Sequence, residues 1–374
     1  MGFMALKTPL CVFFPLVIQI LGIESNIGVN YGMQADNLPP PNEVAKFLLD
    51  STIINHIRLF DANPDTLQAF AHTGIAITVT IPNDLIPQFT NFTFAQEWIK
   101  TNISSHVHST NIKRILVGNE VLATTNKLLI TNLVPTMQTL YSALVEESLE
   151  HKVQISTPHS LGILSSSNPP STGRFRPGYD DHILRPLLSF LRDIGSPFLV
   201  NPYPFFNIGS NDTNLNYALF RSNSGVFDEY TGMNYTNMFD AQLDAIFCAM
   251  KKIGYDDVDI VVAETGWPSQ GDPDYIGIDP HSAATYNANV VRHVTSGVGT
   301  PLMPNRTFET YLFALFNEDL KFGPSYERHF GLFGPELIPV YDIGLLRPNM
   351  AFSGPPNSFI CCFMIIVIMG WLFG

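Results

Sequence analysis

The feature that most constrains the fold is a series of eight short, β-rich apolar runs that alternate with stretches of helical periodicity. Each run ends in a polar turn or in a turn that contains Gly or Pro. The runs lie at 27–31, 56–60, 76–81, 114–117, 153–157, 198–203, 259–263 and 311–316. Strands that alternate with helices pair in parallel, and near-continuous apolar strands are covered on both faces.

These units predict an α/β chain folded as one (β/α)8 barrel, the TIM barrel, over residues 26–345. Such a barrel needs about 250 residues, so the segment has room for loop insertions. An open doubly wound sheet is the alternative, but Asn30-Tyr31-Gly32-Met33 follows the first run where a Gly-rich dinucleotide fingerprint would stand. The longest insertion, 207–237, enlarges the loop after the sixth strand, and we expect it to form one wall of a groove.

Helical periodicity is clearest at 240–253, where Gly254 is the expected stop. The apolar positions that share one face there are Leu243, Ile246, Phe247, Met250 and Ile253. The Gly-rich segment 296–300 follows a helical stretch rather than a strand, which predicts a helix end and a turn.

The charge balance excludes nucleic acid as a partner. Twenty Lys and Arg stand against 33 Asp and Glu, a net charge of -13, which leaves no basic surface to displace counterions from a phosphate backbone. The ten histidines form no His-x-x-x-His pair, and no motif of a hydroxyl or thiol nucleophile is present. We therefore expect no metal and no organic cofactor.

Both ends of the sequence have the composition of targeting signals. Residues 1–25 combine Lys7, an apolar run and small or polar residues, which predicts a secretory signal peptide rather than a buried first helix. A short linker at 346–358 with small residues precedes the uncharged tail 359–374, which predicts a GPI-anchor signal; a tail-anchored helix is the alternative. We expect a lipid anchor in the outer leaflet of the plasma membrane, and a location at its extracellular face or in the cell wall.

Cysteine and glycosylation motifs fit a secretory route. Cys248 is the one cysteine between the two signals, so a large core rather than disulfides must hold the fold. A monomer is expected. The Asn-x-Ser/Thr sequons are Asn91, Asn102, Asn211, Asn234 and Asn305.

Two of the strand-like runs lead directly into a glutamate, Glu120 after the fourth and Glu264 after the seventh. In a (β/α)8 barrel the site forms at the carboxyl ends of the strands, and the fourth and seventh strands face each other across its mouth. Cleavage of a glycosidic bond needs two carboxyl groups on opposite sides of the bond. Either glutamate alone could be a solvated loop residue, but together they predict a two-carboxylate hydrolase.

The stretch VVAETGWPSQG at 261–271 resembles the signature of the plant endo-1,3-β-glucosidases, glycoside hydrolase family 17. Similar features recur in NIGVNYG (26–32), VGNE (117–120), NPYPFF (201–206), FALFNE (313–318) and ERHFGLF (327–333). Many members carry a cysteine-rich carbohydrate-binding module after the barrel. This sequence has no suitable cysteines there, so we expect affinity for glucan to come from the groove itself.

The resemblance implies a retaining mechanism with Glu264 as nucleophile and Glu120 as acid/base. It also implies that Asn119 holds the sugar 2-hydroxyl beside the nucleophile, and that Arg58 hydrogen-bonds the Glu264 carboxylate and keeps it ionised. An ion pair between Arg58 and Asp61 is the alternative for that arginine. Two carboxyl groups in retaining enzymes stand ~5 Å apart, so repulsion and burial raise the pKa of the acid.

Substrate contacts are expected from polar and aromatic side chains near the strand ends. Glu318, Lys321 and Glu327 match groove positions of the family, with a surface salt bridge as the alternative. The candidates for stacking on sugar faces are Tyr31, Tyr203, Phe206, Trp267 and Phe316, with Tyr31 and Trp267 favoured because each ends a strand.

The sequence leaves three functions open. The first is an endo-acting hydrolase of β-1,3-glucan, such as callose or laminarin-like wall glucan, tethered outside the plasma membrane. The second is a wall-glucan binding protein without turnover, against which the retained carboxylates argue. The third is a transglucosylase that uses the same covalent intermediate with a sugar acceptor, and the sequence does not separate it from the hydrolase.

Overall fold

The structure, a computed structural model, describes residues 27–208 and 214–347. The predicted signal peptide, the attachment region and tail from residue 348 onward, and the sequon at Asn211 lie outside the described residues.

One large parallel sheet organises the described residues. Its strands are β1 (Ile27–Tyr31), β2 (His56–Leu59), β3 (Ala76–Ile81), β4 (Ile112–Val117), β5 (Gln154–Ser156), β6 (Pro158–Ser160), β9 (Phe198–Asn201), β12 (Ile260–Thr265) and β13 (Thr310–Leu312). Two antiparallel hairpins stand apart from it, β7 (Leu164–Ser166) with β8 (Arg174–Phe175), and β10 (Val226–Asp228) with β11 (Met233–Tyr235).

The sheet closes into a barrel at its fifth predicted strand. The strand order is β5-β4-β3-β2-β1-β13-β12-β9-β6, and every neighbouring pair is parallel. The two edge strands, β5 and β6, are separated in the chain only by Thr157. The continuous segment 154–160 therefore supplies both edges, and it extends three residues beyond the predicted run 153–157. The order confirms the predicted (β/α)8 barrel, with a strand at each of the eight predicted runs.

Helices surround the barrel. They are α1 (Pro41–Ser51), α2 (Pro64–Ala69), α3 (Phe92–Ile99), α4 (Lys127–Glu146), α5 (Arg185–Asp193), α6 (Leu215–Ala218), α7 (Met238–Lys252) and α8 (Pro280–Thr295). Shorter helical turns of 3-10 or π type lie at Asn83–Thr90, Lys100–Ser104, Val121–Ala123, Leu161–Ile163, Pro170–Thr172, Asp180–Leu184, Pro204–Asn207 and Ser325–Arg328.

The predicted helix at 240–253 is α7. The side chain of Asn237 accepts a hydrogen bond from the Asp240 N–H at its start, and Gly254 adopts a left-handed φ of 86° just after its end. Helix α8 likewise ends where the Gly-rich segment begins, at Thr295, and Gly297 has φ 73°. Both helix ends are confirmed, because each coincides with a residue type that satisfies the local backbone requirement.

Side chains of the strands pack in two layers. Those that point into the barrel form a small cluster of Leu116, Leu199, Val261, Ala263 and Tyr311. The alternate residues of the same strands, such as Ile115 and Val262, pack outward with the helices in the main core. Among the described residues, α4 alone has the length and hydropathy of a membrane span, yet it packs against this core through Leu133, Met137 and Leu140.

Candidate functional site

The carboxyl ends of the strands surround a cavity of about 770 Å³ that Glu120 and Glu264 both line. The enlarged loop after the sixth predicted strand contributes Asn207, Tyr217 and Val226 to its wall, which confirms the expectation for that insertion. The structure thus brings the two glutamates to one mouth of the barrel. Their surroundings differ, and the difference determines what each carboxyl group can do.

Glu264, at the end of β12, is 7% exposed and held on both carboxylate oxygens. Arg58, fully buried on β2, donates from Nη1 to Glu264 Oε1 at 2.7 Å, and the Tyr203 phenol donates to Oε2 at 3.0 Å. The second guanidinium nitrogen of Arg58 donates to Asn119 Oδ1 at 2.7 Å. Arg58 therefore contacts Glu264 as the resemblance implies, and its guanidinium does not form the alternative pair with Asp61.

Glu120 stands on a strained turn after β4. Its own φ of 50° and the φ of 68° at Gly118 are left-handed, a conformation that costs a non-glycine residue energy and persists only where the surroundings fix it. Asn83 fixes this turn with two hydrogen bonds, because its Nδ2 donates to Asn119 O at 2.9 Å and its Oδ1 accepts from Asn119 N at 2.7 Å. Asn201 Nδ2 then donates to Glu120 Oε1 at 2.8 Å.

The pKa of Glu120 is raised to about 7, mainly by burial and next by the nearby charge of Glu264. The hydrogen bond from Asn201 and the charge of Arg58 oppose this effect without cancelling it. Burial and the Glu264 charge also hold the pKa of the Tyr203 phenol well above its usual value, so Tyr203 remains a donor. The site therefore holds one carboxyl group that keeps its proton near neutrality beside one that is ion-paired.

Three of the five predicted stacking residues are wrong. Tyr31 and Trp267 have no exposed surface, and Phe316 is 1% exposed, so no ring face is open to a sugar. Tyr31 packs edge-on against Phe316, and the Trp267 indole donates to Gly277 O at 2.7 Å. Each residue ends or follows a strand, but its side chain points into the packing between strands and loops. Tyr203 and Phe206 do line the cavity.

Two of the three predicted polar contacts line the cavity, and the third does not. Lys321 and Glu327 line the cavity and form an ion pair of 3.3 Å, with the Lys321 ammonium 4.0 Å from the centre of the Phe313 ring. Glu318 is 5% exposed, and its carboxylate accepts from Gln34 N at 3.0 Å. Glu318 therefore does not line the cavity and instead joins the loop after β13 to the loop after β1.

Four residues of the site were not predicted from the sequence: Asn83, Asn201, Phe313 and Phe330. The last three line the cavity, and Asn83 holds Asn119 from outside it. The position of Asn201 at the end of β9 was a signal of the same kind as Glu120. No local pattern marks Asn83, because its contact is with a strand end 36 residues away. Among the described residues, no three His, Cys, Asp or Glu side chains cluster as metal ligands would.

The sequence profile described as Glycosyl hydrolases family 17 matches residues 27–345. A glucan endo-1,3-beta-glucosidase of Triticum aestivum is 51% identical over 337 residues, which are 89% of this chain and 72% of that protein. Glucan endo-1,3-beta-glucosidase 14 of Arabidopsis thaliana is 41% identical, over 96% of this chain and 92% of that protein. The solved structure of a beta-1,3-glucanase and allergen of Cryptomeria japonica pollen has a TM-score of 0.81 and 40% identity, covering 85% of this chain and 98% of that one.

Proposed function

The chain belongs to family 17 of the glycosyl hydrolases and is a glucan endo-1,3-β-glucosidase, and on this premise we propose that it cleaves β-1,3-glucan with retention of configuration. In this mechanism Glu264 is the nucleophile and Glu120 the acid/base. The substrates are callose and laminarin-like wall glucans. The observation that carries the proposal is that the two carboxyl groups have different surroundings. The carboxylate of Glu264 is ion-paired with Arg58, and the pKa of Glu120 is raised to about 7.

In the first step a carboxylate oxygen of Glu264 bonds to the anomeric carbon while the glycosidic C–O bond breaks. The departing oxygen takes the proton of Glu120, so the leaving glucan departs with a neutral hydroxyl group rather than as an alkoxide. Arg58 contacts Oε1 of Glu264, whereas the neutral Tyr203 phenol contacts Oε2. Oε2 is therefore the carboxylate oxygen with fewer cationic partners. The products of the step are a covalent glucosyl-enzyme and a shortened glucan.

In the second step Glu120, now a carboxylate, takes a proton from a water whose oxygen attacks the anomeric carbon. The bond to Glu264 breaks, and its carboxylate returns to the ion pair with Arg58. Two inversions give net retention. Asn119 lines the same cavity as the two glutamates, which supports its proposed contact with the sugar 2-hydroxyl, and Arg58 orients its amide by donating to Oδ1.

Variants of the two glutamates test the assignment. Reducing-sugar release from laminarin should fall by more than ~1,000-fold in Glu264→Gln and in Glu120→Gln, because each removes a group that reacts in the transition state. Glu97→Gln is the matched control, since that glutamate is exposed on α3 and lies outside the cavity. Turnover by Glu264→Gln at a rate near that of the wild type would reject the mechanism.

The stereochemistry separates the two roles. With an aryl β-laminaribioside and azide, Glu264→Gly should form the α-glycosyl azide, because azide attacks the face that Glu264 occupied. Glu120→Gly should form the β-glycosyl azide, because azide then replaces water in the second step. NMR of the products reads the anomeric configuration, and the same azide anomer from both variants would contradict the assignment.

A transglucosylase would use the same intermediate. Product analysis at high oligosaccharide concentration distinguishes the two, since transfer yields products longer than the substrate whereas hydrolysis does not. We propose hydrolysis as the main reaction. Among the described residues that line the cavity, none singles out a sugar acceptor over water.

We also propose that the chain acts as a monomer at the extracellular face of the plasma membrane or in the wall, with its uncharged tail exchanged for a lipid anchor. The proposal is supported by the composition of residues 1–25 and 359–374. Release of the protein from membranes by a phosphatidylinositol-specific lipase is the expected result. Retention after that treatment, with release by detergent alone, would instead identify a membrane-spanning helix.

A further inference from the structure

The buried Trp267 fixes the course of the loop between β12 and α8. Its indole packs with ring centroids 5.4 Å from Phe205 and 5.3 Å from Tyr286, and its Nε1 donates to Gly277 O at 2.7 Å. This hydrogen bond fixes the loop at Gly277, two residues after Tyr275. Trp267 thus does not touch substrate itself but sets the position of another aromatic side chain.

Tyr275 continues a line of aromatic rings that begins at the catalytic glutamate. Tyr203, which donates to Glu264, lies 5.3 Å from Phe206 between ring centroids. Phe206 lies 6.3 Å from Tyr326, and Tyr326 lies 4.9 Å from Tyr275. We call Tyr203, Phe206, Tyr326 and Tyr275 the aromatic line. Each step along it is comparable with the length of one glucosyl unit.

Two members of the aromatic line are open to solvent although they are large and apolar. Phe206 is 55% exposed and Tyr275 is 43% exposed. Phe206 also lines the catalytic cavity, so the exposed rings continue the wall of that cavity outward. Flat rings of this kind match the C–H faces of pyranose sugars.

The surroundings of the outer rings favour a neutral, hydroxylated occupant. Asp272 and Asp274 are exposed on the same loop, and the ion pair of Lys321 with Glu327 lies beside Tyr326 in the chain. Carboxylates accept hydrogen bonds from sugar hydroxyls, whereas they repel an anionic membrane surface. An uncharged polysaccharide that already occupies the cavity is therefore the fitting ligand.

We propose that Phe206, Tyr326 and Tyr275 form an outer glucosyl-binding subsite that holds the part of a β-1,3-glucan chain extending out of the catalytic cavity. The inference rests on the proposed function for its substrate class. Tyr275 is the outermost contact and makes the enzyme prefer long chains. A short oligosaccharide that fills only the cavity does not reach it.

The test compares chain lengths. Tyr275→Ala should lower kcat/KM for laminariheptaose about fivefold to tenfold and leave kcat/KM for laminaritriose within twofold of the wild type. Tyr275→Trp should keep the preference for the heptaose, because it restores a flat ring. The matched control is Tyr230→Ala, which removes a tyrosine that is 79% exposed and is absent from the aromatic line.

A binding measurement tests the outer subsite independently of the proposed catalytic mechanism. In the Glu264→Gln background, calorimetry with laminariheptaose should show about fivefold to tenfold weaker binding when Tyr275→Ala is added. Equal losses for the triose and the heptaose, or no loss for either, would overturn the outer subsite. Turnover by Glu264→Gln would overturn the mechanism and would leave the binding comparison intact.

Discussion

At the scale of single residues, the site works through the contrast between Glu120 and Glu264. Both follow a buried strand, and both are partly or largely buried. Glu264 has two donors, including the Arg58 guanidinium, whereas Glu120 has the neutral donor Asn201. A desolvated carboxyl group beside another negative charge keeps its proton. Glu264 is instead fixed in place by its ion pair with Arg58.

The pH profile should show this contrast. The pKa of Glu120 is raised to about 7, so the acid form needed for the first step is present below that pH and lost above it. We expect kcat/KM for laminarioligosaccharides to fall on the alkaline side with a midpoint near pH 7, and about tenfold per pH unit beyond it. Measurement from pH 4 to pH 9 checks this, and a profile that stays flat to pH 9 would contradict it.

Asn83 should act as a positioning residue for Glu120. Asn83→Ala removes both hydrogen bonds to Asn119, so the left-handed turn loosens, and kcat should fall about 10-fold to 100-fold with little change in KM. A dinitrophenyl β-laminaribioside, whose leaving group needs no proton, should be cleaved almost normally.

The control for Asn83 is Asn111→Ala. Asn111 also donates from its side chain to a backbone carbonyl, Gly74 O, but at the opposite end of β4. Activity should be unchanged in this variant. An equal loss for the glucan and the activated substrate in Asn83→Ala would indicate a general structural defect instead of misplacement of the acid.

At the scale of elements, the β12–α8 loop depends on a side chain that the sequence pattern assigned to substrate. Trp267→Phe removes the hydrogen bond to Gly277 and part of a fully buried ring, and the free energy of unfolding should fall by ~2–4 kcal/mol. Urea denaturation measures this. Unchanged stability together with weakened glucan binding would restore the stacking role.

At the scale of the whole molecule, the two ends of the barrel have separate tasks. At the end opposite the catalytic cavity, Glu309 pairs with Arg114 at 3.0 Å and with Lys113 at 2.7 Å, and Arg114 is 1% exposed. Burial alone would raise the pKa of Glu309, but these two cations hold it well below its usual value. This network therefore contributes to stability rather than to chemistry.

Glu309→Gln should separate stability from catalysis. It leaves Arg114 buried without its partner charge, so the free energy of unfolding should fall by ~3–5 kcal/mol, while kcat of the folded enzyme stays unchanged. Because the folded pKa is depressed, the contribution of Glu309 is fully present above pH 4.5 and is lost as the pH falls below it.

Denaturation at neutral pH measures the effect of Glu309→Gln, with Asp50→Asn as the control. Asp50 pairs with Lys46 on the surface, where their side chains are 50% and 79% exposed, and its replacement should cost little. A Glu309→Gln enzyme of normal stability but reduced kcat would contradict the separation of the two ends.

Local sequence patterns determined the barrel fold, two helix ends and the positions of Glu120 and Glu264. Eight apolar runs separated by helical stretches left a closed parallel barrel as the simplest solution, because each run buries both faces. The ends of α7 and α8 followed from Gly254 and Gly297, whose backbone freedom those positions use. Glu120 and Glu264 were located by the rule that polar residues at strand ends share one mouth of a barrel.

Only the tertiary structure decided which neighbours those residues meet. Tyr31 and Trp267 end strands just as the catalytic residues do, yet closure of the barrel turns their rings into packed layers. Asn201, at the end of β9, bonds the Glu120 carboxyl group, and Asn83, in the turn after β3, bonds the backbone of the neighbouring Asn119. No local period encodes these separations. The position of a residue in a strand-like run specifies which end of the barrel it occupies, but its exposure and its pKa depend on partners that meet only after folding.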